Sequence, residues 1–100
     1  MPKGILIVQS QPSSEADTAA FHQWYDDVHI PEILTVDGFT SARRLQATGD
    51  GTFLTLYEVD DVEAAQAAMG KAQASGAMTR PTGVKLDPPP SVQWFADLRG

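Results

Sequence analysis

The chain has 100 residues, 13 acidic against 7 basic, a net charge of −6 and no Cys. That length is one domain without room for a second core, the acidic balance argues against a nucleic-acid partner, and the missing thiols exclude disulfides, thiolate zinc sites and Cys nucleophiles. With neither a basic-then-apolar leader nor an apolar run near the roughly 20 residues of a membrane helix, a cytoplasmic protein with no membrane partner is expected.

Ile5-Leu6-Ile7-Val8 is apolar on both faces and reads as a strand buried on both sides. A loop with Pro12 follows. Ser13 or Ser14 then caps a helix, with Asp17 as the acid of a capping-box-like first turn. The helix is predicted over 15–29, with Phe21, Trp24 and Val28 as its apolar stripe. Pro31 disfavours helical geometry at Ile30, so the helix should end or kink near His29. Val36-Asp37-Gly38 is a turn.

A strand is predicted over 39–48, with Phe39, Ser41, Arg43 and Leu45 on one face and Thr40, Ala42, Arg44 and Gln46 on the other. Gly49-Asp50-Gly51 signals a hairpin, and 52–59 is the return strand. If the loop is those three residues, Arg43 faces Tyr57 and Arg44 lies diagonal to Glu58. Asp60-Asp61 caps a second, Ala-rich helix over 62–74, ended by Gly76. Residues 77–90, with Arg80-Pro81, Gly83 and Pro88-Pro89-Pro90, form a long loop of the kind that serves as a lid, an arm or a disordered segment. The last strand is 91–98, with Val92, Trp94, Ala96 and Leu98 on one face.

The order β-α-β-β-α-β predicts one α+β domain over 1–100. This is the ferredoxin-like plan, a four-stranded antiparallel sheet with two helices on one face. Ala supplies 13 of the 42 apolar residues, so the core is thin for a lone domain. The first strand is also apolar on the face that no helix covers. A second copy of the chain is the simplest cover, so a homodimer is expected.

Steps of three and four put His22, Tyr25, Asp26 and His29 on one stripe at the edge of the core. A His there titrates near neutrality. His29 reads as a general acid/base, with Tyr25 or Tyr57 as proton donor or oxyanion stabiliser. From spacing alone the plainer reading, a helix C-terminal His favoured by the dipole, has the greater weight. His22 has only Asp26 in reach and reads as a solvated residue or an outer substrate contact. Trp24, Phe53, Tyr57 and Trp94 form either a pocket wall or plain core. One of Arg43 and Arg44 can meet an enolate or carboxylate, while the other pairs Glu58; the alternative is two surface salt-bridge residues. Arg43 is the binding candidate. His22 and His29 are about 10 Å apart along a helix, and no third ligand is evident. No metal and no other cofactor are therefore expected. There is no phosphate loop, dinucleotide fingerprint or nucleophile elbow.

The segment Phe21-His22-Gln23-Trp24-Tyr25-Asp26-Asp27-Val28-His29-Ile30-Pro31-Glu32, then Val36-Asp37-Gly38-Phe39 and Ala42-Arg43-Arg44, resembles the dimeric α/β-barrel superfamily, with EthD-like proteins nearest. The resemblance implies a homodimer whose sheets close into a barrel, with a pocket between sheet and helices in each subunit. Members include cofactor-free polyketide cyclases and decarboxylases, lactone isomerases, cofactor-free quinone-forming monooxygenases and haem-using enzymes. His29 matches the motif His that often lines the pocket, and Tyr25 matches an aromatic position. The later strands carry Tyr57 and Trp94 but no second His, which speaks against a two-His mechanism and leaves haem ligation to His29 alone. The expectation is a cofactor-independent cyclase, isomerase, decarboxylase or lyase acting by His-mediated proton transfer on a small cyclic or aromatic carbonyl compound. Two alternatives stand beside it: a non-catalytic dimer holding a hydrophobic ligand, and a cofactor-free monooxygenase of hydroxylated aromatics.

Overall fold

A computed structural model describes residues 2–49, 52–76 and 78–99. Four strands form one sheet: β1 (Gly4–Ser10), β2 (Phe39–Gln46), β3 (Phe53–Val59) and β4 (Ser91–Ala96), in the order β2-β3-β1-β4. Every neighbouring pair is antiparallel. With α1 (Thr18–Trp24), α2 (Ile30–Ile33) and α3 (Val62–Ala74) on one side, this is the ferredoxin-like plan. Asp61 starts α3 as expected, its carboxylate accepting from the amides of Glu63 at 3.1 Å and Ala64 at 3.4 Å. Gly76 follows the helix at a φ of +75°. Among the described residues no helix is long and apolar enough to cross a membrane.

Strand alternation divides the sheet into two unlike faces. On the inner face Leu6, Phe39, Tyr57 and Val59 pack against Ile33, Val36, Val62, Ala65 and Met69. A second cluster, Phe21, Trp24, Tyr25 and Val84, lies beside it. On the outer face Ile5, Ile7, Leu54 and Leu56 are half-buried, and Leu45 and Phe95 are exposed. Among the described residues no helix packs over this face.

The first helix does not stop at His29. A π-helical turn, Tyr25–His29, joins α1 to α2, and the Ile30 amide donates to the Tyr25 carbonyl five residues back. The wider turn absorbs one extra residue and sets Pro31 in the first turn of α2, where a missing N–H costs little. The helical path therefore runs on past the proline to Ile33. The cap differs as well. The Ser14 side chain makes no capping bond. Instead the Ser13 and Ser14 hydroxyls both donate to the Asp17 carboxylate, at 2.7 and 3.1 Å. Those bonds hold the Asp17 carboxyl below its usual range.

The hairpin register is shifted by one residue from the expected pairing. Gln46 pairs with Phe53, and the Ala47 amide donates to the Thr52 carbonyl at 2.8 Å. The loop is thus one residue longer than Gly49-Asp50-Gly51, of which Asp50 and Gly51 lie outside the described residues. A one-residue shift exchanges the two faces. Ala42 therefore opposes Tyr57 and Arg44 opposes Thr55 on the inner face, while Arg43 opposes Leu56 on the outer face. An irregularity between Phe39 and Ser41 keeps Phe39 on the inner side as well.

The Pro-rich segment 78–90 is a strap across the inner face. Pro12 and Val84 form a bridge. The Ser13 amide donates to the Gly83 carbonyl at 2.7 Å, and the Lys85 amide to the Gln11 carbonyl at 2.8 Å. Val84 inserts among Phe21, Trp24 and Tyr25. Gly83 makes this close approach possible: its φ is +74°, and a Cβ there would lie 3.0 Å from the Phe21 amide nitrogen. At its other end the strap is held by Glu32, whose carboxylate accepts from the Thr79 amide at 3.0 Å and from the Thr79 hydroxyl.

Candidate functional site

Sheet, helices and strap enclose a cavity of about 600 Å³. Leu6, Val8, Tyr57, Val92 and Trp94 form its floor, Trp24, Tyr25, His29 and Ile33 one wall, and the strap its roof. A volume of this size suits a compact ring system.

His29 lies in the π-helical turn, which carries the ring to the cavity rather than to solvent. Its ring stacks on Trp24 at 4.4 Å with a 17° interplanar angle and meets Tyr25 edge-on at 5.5 Å. The Nδ1 atom is buried and has no hydrogen-bond partner among the described residues. Burial lowers the His29 pKa to about 4, against a smaller opposing pull from Glu32. The imidazole is therefore neutral at physiological pH, with its basic lone pair free.

The two tyrosines differ. Tyr25 is buried and donates its hydroxyl proton to Ser10 Oγ at 2.8 Å. Burial pushes its pKa up, partly offset by the Ser10 bond and by Arg44. Tyr57 is 1 % exposed, yet its hydroxyl has no partner among the described residues. Burial, reinforced by the neighbouring Tyr25, holds Tyr57 well above the usual phenol range, so it is a donor at every physiological pH. Trp24 is 6 % exposed, and its Nε1 is likewise unpartnered. Buried polar groups are nearly always satisfied, so three spare ones on one cavity are unusual. Together they can receive oxygen atoms of a ligand and exchange a proton with it.

No family profile and no curated protein sequence matches the chain. Solved structures do. An EthD family protein of Bacillus halodurans superposes with a TM-score of 0.65 over 98 % of this chain and 100 % of its own, at 19 % identity. Rv0793 of Mycobacterium tuberculosis gives 0.62 over 96 % and 95 %, at 18 % identity. The ActVA-Orf6 monooxygenase of Streptomyces coelicolor, in complex with nanaomycin D, gives 0.60 over 94 % and 87 %, at 17 % identity. The chain shares the EthD-like fold. The resemblance expected from residues 21–44 thus holds at the level of fold.

Within this EthD-like fold the residues singled out in the sequence fall into three places. His29, Tyr25, Tyr57, Trp24 and Trp94 all line the cavity. His22 and Phe53 face a separate depression of about 180 Å³ with Arg44, their rings edge-on at 4.8 Å. Arg43 lies exposed on the outer face, away from both. The inner-face cation is Arg44. Its Nη1 bonds His22 Nδ1 at 2.9 Å and reaches Asp26 at 3.5 Å. Its guanidinium sits 4.7 Å from the Tyr25 ring centroid and 5.3 Å from that of Phe21. Arg44 was expected to pair Glu58; the register puts them on opposite faces.

Sequence reasoning missed the contribution of α3 and the strap. Gln66, Met69, Gly70 and Gln73 line the cavity along one helical ridge. Their spacing of i, i+3, i+4 and i+7 is the available signal, diluted by the surrounding Ala residues. The strap residues Thr79, Pro81 and Val84 carry no periodic signal at all.

Proposed function

We propose that this chain is a cofactor-independent enzyme that moves a proton on a small cyclic or aromatic carbonyl substrate, with His29 as the base. The reading rests on one observation: the neutral His29 imidazole borders a largely apolar cavity where two further buried and unpartnered polar groups of the lining, the Tyr57 hydroxyl and Trp24 Nε1–H, are both donors at neutral pH. A base opposite oxyanion donors is the arrangement enolisation needs.

His29 takes a proton from the carbon next to the carbonyl. The C–H electron pair moves into the ring system and charge collects on the oxygen. Tyr57 and Trp24 donate hydrogen bonds to that oxygen, while Tyr25, anchored by Ser10, supports the imidazole edge. An imidazolium with a pKa near 4 readily returns the proton. Return at another carbon gives isomerisation; attack of the enolate on a second carbonyl gives cyclisation; expulsion of a leaving group β to the carbonyl, protonated as it departs, gives lyase products. The test is hydrogen–deuterium exchange at the α-carbon of cyclic ketones in D₂O, followed by NMR. Exchange that persists in a folded His29→Gln protein removes His29 as the base.

The likeness to ActVA-Orf6 supports a second reading, a cofactor-free monooxygenase of hydroxylated aromatics. Deprotonation of a phenol by the same His29 would prepare the ring for oxygen, with one oxygen atom becoming the new quinone carbonyl and the other leaving as water. Oxygen uptake with a dihydroxyaromatic substrate favours this reading; exchange without uptake favours the first.

We also propose that a second copy covers the outer face. Ile5, Ile7, Leu54 and Leu56 form its centre, flanked by the exposed Leu45 and Phe95. Sedimentation velocity should show a dimer that dissociates on Leu56→Asp; a wild-type monomer at high concentration overturns this.

A further inference from the structure

Among the described residues that line the cavity, not one is Asp, Glu, Lys or Arg. On the strap, Arg80 and Lys85 are exposed and outside that lining, and two charged side chains beside the wall are bonded to other groups. Glu32 holds Thr79 through both carboxylate oxygens. Arg44 lies over the Tyr25 ring and outside the lining, bonded to His22 and reaching Asp26. His29 is neutral. An ionised carboxylate or phosphate placed in this cavity would lose its water and find no cation in the lining, an unfavourable way to bury a charge.

The polar atoms that are spare make the opposite demand. Tyr57 and Trp24 are both more than nine-tenths buried, and each presents an unsatisfied donor beside the cavity. An occupant without oxygen would leave them unpaired. Most of the remaining wall is apolar or aromatic, with Leu6, Val8, Ile33, Met69, Val84 and Trp94, and its other polar side chains, Gln66, Gln73 and Thr79, are uncharged.

We propose that the cavity selects an uncharged, largely apolar ring compound bearing carbonyl or phenol oxygens, and discriminates against the same skeleton once it carries an ionised acid. This deepens the proton-transfer reading above, and rests on it only for the identity of the site. A substrate that originates as a carboxylic acid would have to arrive esterified, as a lactone, or already decarboxylated. The enzyme supplying it must therefore be one that masks or removes the acid.

The probe pair is methyl 6-hydroxy-2-naphthoate and the 6-hydroxy-2-naphthoate anion, which share ring and phenol and differ in charge. Each is titrated calorimetrically into full-length His29→Gln protein, in which the proposed base cannot consume it. Quenching of Trp24 and Trp94, both at the cavity, reports that binding is local. The ester is expected to bind at least about a hundredfold more tightly than the anion. Tyr57→Phe should weaken the ester by about tenfold, the value of one lost hydrogen bond. Leu86 lines the cavity mouth and is 59 % exposed, so a charge is tolerated there. Leu86→Arg should strengthen the anion by about tenfold or more, supplying the missing cation. Anion binding within a few-fold of the ester in the unmodified cavity, or failure of both probes to bind, overturns the proposal. Turnover by His29→Gln would instead remove the proposed base and leave the ester–anion comparison standing.

Discussion

His22 and His29 lie seven residues apart on one helical path, each beside aromatic rings, and they end in opposite chemical situations. The His22 ring is edge-on to Phe53, and its Nδ1 is occupied by Arg44 at 2.9 Å. His29 stacks on Trp24, and its Nδ1 is buried with no partner beside a cavity of about 600 Å³. Residue type and aromatic surroundings do not separate them. Spare hydrogen-bonding capacity next to empty volume does. A His whose ring nitrogen is already spent on a guanidinium is a packing element, and one with nothing to bond except an incoming ligand is a candidate for chemistry.

The sharpest break of this contrast is a pair of conservative substitutions. His29→Gln should lower α-proton exchange by about 10²–10⁴-fold, the usual worth of a positioned base. His22→Gln should leave the rate near wild type, because the amide can still accept from Arg44. Equal effects at both positions, measured by NMR exchange rates on proteins of matched thermal stability, would erase the distinction.

The tyrosines extend the comparison. Tyr57→Phe removes an unpartnered donor and should cost about 10²–10³-fold in rate with little change in stability. Tyr25→Phe removes a hydroxyl already bonded to Ser10, so it should cost about 1 kcal/mol of stability and much less rate. Urea titration beside the exchange assay separates the two outcomes.

Acid should reveal the buried imidazole through stability. The folded His29 pKa, about 4, lies below the ordinary 6.5. Between those values the unfolded chain binds the proton that the folded chain refuses, so stability rises with pH. This contribution is complete above about pH 6.5 and is lost as pH falls toward 4, by at most about 3 kcal/mol for the 2.5-unit separation, less for the ring's partial exposure. Urea midpoints across that range should fall less steeply in His29→Gln than in wild type. Parallel slopes would mean that His29 is not desolvated.

Much of this arrangement was legible in the residues. The β-branched run 5–8, the Asp61 and Gly76 ends of α3, and the β-α-β-β-α-β order lead to the observed sheet because each signal is local. The Trp24–Tyr25–His29 cluster reached the cavity for the same reason: one helical path carries it. What failed was long-range or depended on a single residue. A hairpin loop longer by one moved Arg43 to the outer face and Arg44 to the inner. A π turn, invisible in apolar spacing, let the helix run past Pro31. The roof depends on a bridge between Pro12 and Val84 and on Glu32 reaching Thr79, partners 72 and 47 residues apart that no spacing rule connects.

The central claim is that His29 stands as a neutral, unspent base in the cavity. Its most direct test is an NMR titration of the imidazole Cε1–H resonance in the His22→Gln protein, where only one histidine remains. A midpoint near pH 4 supports the claim; a midpoint at or above the ordinary 6.5 would mean a solvated or charge-paired ring, and would contradict it.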